Sequence, residues 1–274
     1  MKNYVTHEAP VQELIAAIEQ NFIGFIRAYV LHGHGEVHEE PGQTWVFTGT
    51  PLKFFNGVIH TSLNSSECDL KIKTLLDFFQ SRQQSMAWWI SPFTRPADLS
   101  HRLVAHGLTL SWKEVGMTID LHNIHQTLSS PYDLVIERVQ DEQTMQEWVH
   151  TNAHGFAMDE HVLADYRKLV PSVPHHQHPV GPFYLARLKG EPVATAALYC
   201  ANGVAGIYEV STIPSARRQG IGAAITMAAL LEAQAMGYQV GILLAESMGV
   251  STYQRLGFTT RCTFDAYCLQ PLTS

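Results

Sequence analysis

A mixed α+β (α/β) sheet fold is what this sequence predicts, and three observations carry that reading. From residue 133 to the C-terminus, strand-like and helix-like runs alternate. Within that half, the apolar, β-rich run 204–213 passes through Pro214 and the glycine-containing Arg217-Arg218-Gln219-Gly220-Ile221-Gly222 into a helix-forming stretch, 223–236. Finally, 46% hydrophobic against 16% charged residues over 274 positions supplies apolar surface for two modest domains or one large one.

The first half opens with a helix over 11–29, where Leu14, Ile15, Ile18, Phe22 and Ile26 recur at helical spacing. Strand-like runs follow at 43–49 and 57–63, then a helix at 72–82, a strand at 86–90, and a helix at 96–106 closed by Gly107. Trp88 and Trp89 are neighbours on a strand and point to opposite faces, which reads as core rather than ligand stacking. The polar, turn-rich stretch 123–131 divides the chain into domains 1–125 and 132–274. Beyond it, 133–139 alternates like a strand, helices follow at 142–150 and 161–169, and Val170-Pro171-Ser172-Val173-Pro174 breaks the second helix. Strands at 183–188 and 192–200 join through Lys189-Gly190-Glu191, a hairpin turn. Helix 223–236 ends at Gly237. A strand at 240–244 and a short helix within 249–258, closed by Gly257, lead into the last strand.

The chemistry concentrates in residues 217–222. A strand running through glycines into a helix N-terminus presents unpaired first-turn amides, and the helix dipole favours an anion there. Glycine permits backbone angles and close approaches that a Cβ would block. Arg217 and Arg218 add fixed positive charge beside it. The run is not a P-loop, since no Gly-Lys-Ser/Thr ending is present, and the dinucleotide spacing G-x-G-x-x-G fails at Thr226.

Two motifs in this order resemble the GNAT family, the Gcn5-related N-acetyltransferases. Arg217 to Gly222 is similar to its Q/R-x-x-G-x-G/A pyrophosphate motif, and Tyr253, Gly257 and Phe258 are similar to its later Y-x-x-x-G-F signature. The resemblance covers about 140 residues, from Asp133 onward. It implies a GNAT fold in that half and acetyl-CoA as co-substrate. The pyrophosphate would be held by Arg217, Arg218 and the amides of Gln219, Gly220, Ile221, Gly222 and Ala223, with the pantetheine arm along Val210, Ser211 and Thr212. It further implies direct attack of an amine on the thioester in a ternary complex, Tyr253 as general acid, and Glu209 as candidate general base with Glu246 as a second candidate. The alternative is a non-catalytic acyl-CoA sensor, which would have no turnover to lose when Tyr253 is removed.

An offset of 150 residues lays Gly107 on Gly257 and Leu108 on Phe258, while Leu103 falls on Tyr253 and 67–72 falls on 217–222. Leucine donates no proton and 67–72 holds no glycine. The first half therefore resembles a degenerate, non-catalytic GNAT-like domain, as in tandem members of the family.

A formal net charge of −7 argues against nucleic acid as partner. The N-terminus lacks an apolar signal region, no membrane-spanning run is read, and four scattered cysteines without CxxC spacing suit a reducing compartment. The expectation is a cytoplasmic enzyme, monomer or homodimer, acting on a small-molecule or peptide amine. Two histidine clusters, His32/His34/His38 and His175/His176/His178, lack carboxylate or thiol companions at ligand spacing and read as solvated loops, so no metal is expected. The second of them would border the acceptor site if the resemblance holds.

Overall fold

The computed structural model describes residues 4–124, 131–170 and 180–269. In chain order the elements are α1 (Val11–His32), β1 (Glu36–Glu40), β2 (Gln43–Phe47), β3 (Gly57–Thr61), α2 (Ser65–Ser81), β4 (Ala87–Ile90), α3 (Leu99–Ala105) and β5 (Thr109–Asp120). Then come β6 (Leu134–Arg138), α4 (Glu142–Gly155), α5 (Glu160–Leu169), β7 (Phe183–Leu188), β8 (Glu191–Ala201) and β9 (Val204–Thr212). The chain closes with α6 (Ile221–Ala235), β10 (Val240–Glu246), α7 (Val250–Leu256) and β11 (Thr259–Cys268). All eleven strands join one mixed sheet in the order β1-β2-β3-β4-β11-β5-β10-β9-β8-β7-β6.

The order at the centre of the sheet is informative. β4–α3–β5 and β10–α7–β11 are the same unit occurring once in each half. Each unit sends its last strand across: β11 pairs with β4, β5 pairs with β10, and β5 and β11 pair antiparallel between them. The 150-residue echo is therefore structural. Leu108 N donates to Leu103 O and Phe258 N to Tyr253 O, both at 3.0 Å. Gly107 and Gly257 both take the left-handed conformation after their helices, at φ 89° and 102°. The echo does not extend upstream at the same offset. Residues 67–72 lie inside α2, and the connection from β3 to α2 is Ser62-Leu63-Asn64.

Helices cover both faces. α1, α4 and α5 pack on one, and α2, α3, α6 and α7 on the other. Trp89 faces α1, where it meets Phe22, and Trp88 faces α2, donating from Nε1 to Thr61 Oγ1 at 3.0 Å. α1 is buried around most of its circumference, and by length and composition alone it is apolar enough to cross a membrane. Here that apolarity is absorbed by burial between the sheet and the surrounding elements. Phe25 stacks on Tyr208 of β9 at 3.9 Å between centroids. Asn21, fully buried, donates to Tyr199 O and Ala201 O and accepts from the Tyr208 hydroxyl at 2.9 Å. The first helix of the N-terminal half is thus anchored on the strands of the C-terminal half.

Several boundaries differ from the sequence expectation. β1 (EVHEE) was not anticipated, because an edge strand of charged residues shows no apolar alternation. His38 therefore lies on a strand, stacked on Trp45, and His32 closes α1, so these histidines are not one solvated loop. α2 starts at Ser65 rather than 72, since buried Cys68 extends the apolar spacing of Ile72, Leu75, Leu76 and Phe79. α3 starts at Leu99, because Pro96 and Asp98 make the turn before it. His175, His176 and His178, and most of the 123–131 boundary, lie outside the described residues.

Removing Asn21 would leave two carbonyls and a tyrosyl hydroxyl buried without it. Asn21→Ala is expected to lower stability by about 2–3 kcal/mol, read as a lower urea midpoint at unchanged m-value.

Candidate functional site

The parallel strands β9 and β10 pair only at Gly241↔Ala205 and Ile242↔Gly206. Beyond that point β9 stays with β8 as far as Thr212, and β10 stays with β5 as far as Glu246↔Glu114. The two strands diverge, and a gap opens in the sheet beside residues 207–212. Backbone polar groups along such an edge need partners, which suits an extended ligand arm. At the end of β9 the turn Pro214–Ala216 leads to Arg218 (φ 62°) and Gly220 (φ 80°), both left-handed. Two left-handed residues in three turn the backbone sharply into α6. Gly220 is the N-cap of that helix, and no side chain caps it. Its first-turn amides are therefore available to an anion.

The sequence-predicted binding residues gather here, with unequal parts. Val210 and Thr212 line the free edge of β9, and Gln219 to Ala223 form the turn and first helical residues. A Cβ on Gly222 would meet only Thr212 Oγ1, at 3.5 Å, so the helix start faces open space. Arg218 is exposed at the rim. Arg217 is committed locally: its Nε donates to Thr212 O at 3.0 Å and its Nη2 to Gly155 O at 2.8 Å. It ties the end of β9 to the C-terminal turn of α4, where a cation is favoured. Its charge shapes the turn from behind.

Glu209 sits at the divergence in a left-handed conformation, φ 53°, beside a register shift between β8 and β9. For a glutamate that conformation costs energy and needs support. The support is a buried polar cluster. Asn152 Nδ2 and Thr195 Oγ1 donate to Glu209 O at 3.1 and 2.9 Å, and the Tyr166 hydroxyl lies 2.7 Å from Asn152 Oδ1 and 3.2 Å from Glu209 Oε2. Burial pushes the Glu209 carboxyl up to about 7, while hydrogen bonds from Tyr166 and Asn152 hold it down. Burial and the Glu209 charge keep Tyr166 protonated well above the usual range, so it remains a donor.

Tyr253 approaches from α7 on the other face of the sheet. Burial pushes its hydroxyl up to about 12, offset in part by a hydrogen bond with Thr226 and reinforced by Glu246 and Glu114. It therefore holds its proton at neutral pH.

Sequence reasoning missed Glu114, Asn152 and Tyr166. Glu114 lies in the half that lacks a phosphate turn, and only the crossed strands bring it opposite Glu246. Among the described residues neither carboxylate forms an ion pair. Burial, with Glu246 adding repulsion, pushes Glu114 up to about 7. Asn152 had a sequence signal: it follows Trp148 by four residues on the buried face of α4, where a polar side chain needs a partner.

Residues 179–260 match the family model described as an acetyltransferase (GNAT) domain. The fold is similar to that of a GCN5-related N-acetyltransferase from Kribbella flavida, at 19% identity and TM-score 0.69, covering 91% of this chain and 94% of that one. It is also similar to a functionally unknown conserved protein from Staphylococcus epidermidis ATCC 12228, at 14% identity and TM-score 0.65, covering 87% and 95%. A tandem GNAT protein from the clavulanic acid biosynthesis pathway shares 9% identity at TM-score 0.55, covering 85% and 79%. No curated protein matches the chain. The chain has the GNAT fold, and the residues that match the domain model, 179–260, lie in its C-terminal half.

The raised Glu114 pKa has a stability consequence. In the fold the carboxyl stays protonated up to about pH 7, against its ordinary 4.5. Its linked stability is therefore full below about pH 4.5 and lost as pH rises through about 7. Glu114→Gln is expected to raise Tm at pH 8, by the equivalent of about 1–3 kcal/mol, and to leave it unchanged at pH 4. Thermal melts at the two pH values check this.

Proposed function

We propose that this chain is an acetyl-CoA-dependent N-acetyltransferase that moves the acetyl group to an amine by direct attack in a ternary complex. One observation carries the reading: the gap between β9 and β10 opens beside the uncapped N-terminus of α6, with Glu209 at the point of divergence. The match of residues 179–260 supports the same class. Acetyl-CoA, when bound, supplies a thioester carbonyl activated toward nucleophiles.

The rest of the work falls to the chain. The amides of Gln219, Gly220, Ile221, Gly222 and Ala223, with Arg218 at the rim, hold the pyrophosphate. The backbone edge at Val210 and Thr212 holds the pantetheine arm extended, which fixes the carbonyl beside the acceptor and replaces a bimolecular encounter. Glu209, poised near neutrality, accepts the proton that an acceptor ammonium must lose before its lone pair can attack. Tyr253 donates its proton toward the departing sulfur. Glu114 and Glu246, opposite one another on β5 and β10 and without an ion pair among the described residues, favour a positively charged acceptor over a neutral or acidic one.

Calorimetric titration with acetyl-CoA tests the reading first. Saturable one-site binding is expected, and Gly220→Asp, which puts a carboxylate where the anion sits, is expected to weaken it at least about tenfold. Absence of binding to the wild-type chain would overturn the proposal. With an amine acceptor in hand, Tyr253→Phe is expected to lower kcat roughly 10²-fold with the KM for acetyl-CoA nearly unchanged. A non-catalytic sensor would bind acetyl-CoA yet release no CoA with any amine.

The pH profile follows from Glu209. A base works only when deprotonated, so kcat/KM should rise with pH through about 7 and level above it. Glu209→Gln is expected to lower the plateau and abolish that limb. An unchanged limb in the variant would take the base role from Glu209.

A further inference from the structure

Away from the cleft, three metal-competent side chains meet at the end of β5. His7, on the segment before α1, and His122, in the turn Leu121–Asn123, both approach Asp120. Asp120 Oδ1 lies 3.7 Å from His7 Nδ1 and 3.2 Å from His122 Nδ1. One donor atom from each of the three residues lies within 4.8 Å of the other two.

From this we infer that His7, Asp120 and His122 form a binding site for a divalent transition-metal ion, of which zinc fits the donor set best. Two imidazole nitrogens and one carboxylate oxygen are ligands that zinc accepts, and calcium or magnesium would require more oxygen. Zinc bonds to nitrogen and oxygen are about 2.0–2.2 Å long, which puts tetrahedral ligands roughly 3.3 Å apart. The two distances to Oδ1, 3.2 and 3.7 Å, bracket that spacing. Only small side-chain adjustments would close the site, and a water would complete the fourth position.

The carboxylate is already oriented for the task. Asn123 Nδ2 donates to Asp120 Oδ2 at 2.7 Å, which turns Oδ1 toward the two rings. Oδ1 accepts the His122 backbone N–H at 2.9 Å and also lies 3.2 Å from His122 Nδ1, the hydrogen-bond contact that a metal between them would replace. A hydrogen-bonded outer partner of this kind fixes a ligand's direction at metal sites.

The location gives the site a purpose. The segment before α1 is held by Val5 N donating to Gly203 O at 3.0 Å, and by Tyr4, which packs edge-on against Tyr238 and donates to Met236 O at 3.3 Å. A metal at His7 would add a third tie, from that segment to the strand that crosses between the halves. Such a clip acts on stability and does not depend on the acetyl-transfer reading.

The test is calorimetric titration of the tag-free full chain with zinc chloride, repeated on His7→Ala and His122→Ala. Both histidines are substantially exposed, at 41% and 56%, so both variants should fold, and circular dichroism checks that they do. One tight equivalent in the wild type, absent from both variants, is the expected result, with a zinc-dependent rise in Tm that the variants lack. Asn123→Ala should retain the equivalent at about tenfold weaker affinity. No tight equivalent in the wild type, or its retention in either histidine variant, overturns the proposal.

Discussion

The antiparallel pairing of β5 with β11 is the constraint on which the rest of the molecule depends. Each strand belongs to one half and lies against the other half's remaining strands. Backbone amides and carbonyls buried at the centre of a sheet must be paired, so neither half can satisfy this region in the observed arrangement without the other. Two similar units thereby become one eleven-stranded sheet with no internal edge between them. The same crossing sets which residues meet across β5 and β10. β10 lies beside β5 rather than beside its own half's last strand, so Glu114 of the first half stands opposite Glu246 of the second.

The divergence of β9 from β10 is useful because its cost is met nearby. A glutamate at φ 53° and a gap in a sheet are both unfavourable. Asn152, Thr195 and Tyr166, all buried, hold the Glu209 carbonyl and carboxylate with partly buried hydrogen bonds. The N-terminal half shows the other outcome. Its β3 and β4 also pair over two residues only, Gly57↔Ala87 and Val58↔Trp88. There, however, the loop after β4 returns into the gap: Arg95 N donates to Thr61 O at 3.0 Å, and Leu63 N donates to Arg95 O at 3.1 Å. The backbone groups that would meet a ligand arm meet the chain itself. Leu103, fully buried, takes the position that Tyr253 takes in the other half.

Much of this was legible in the sequence because it is local. The glycine turn before α6, the helix-closing Gly107 and Gly257, and the alternation of the second half are short-range signals, and the structure realises each of them. Two kinds of feature were not legible. β1 is a charged edge strand whose pairing with β2 comes from the hairpin rather than from apolar alternation. Glu114, Asn152 and Tyr166 owe their place to long-range packing. Residue 114 comes opposite Glu246 only through a crossing that no local pattern announces, and the Tyr166 hydroxyl reaches Glu209 across 43 residues. The role of Arg217 was also beyond local reading. Charge beside a glycine turn suggests an anion contact, but the fold turns its guanidinium to Thr212 O and Gly155 O instead.

The asymmetry between the halves follows from what a closed gap contributes. An open cleft needs strained backbone, buried carboxylates and an uncapped helix, each of which lowers stability. One such cleft in a fused pair is tolerable when the partner half supplies dense packing. The N-terminal half does so with Trp88, Phe79, Ile72 and Leu103 on one face and Phe22 and Trp89 on the other. It also donates α1, whose Asn21 and Phe25 brace β8 and β9 immediately before the bulge at Glu209. On this reading the first half is not an idle copy. Its closed gap stabilises a sheet that the second half leaves open, and its crossed strand sets a carboxylate opposite Glu246.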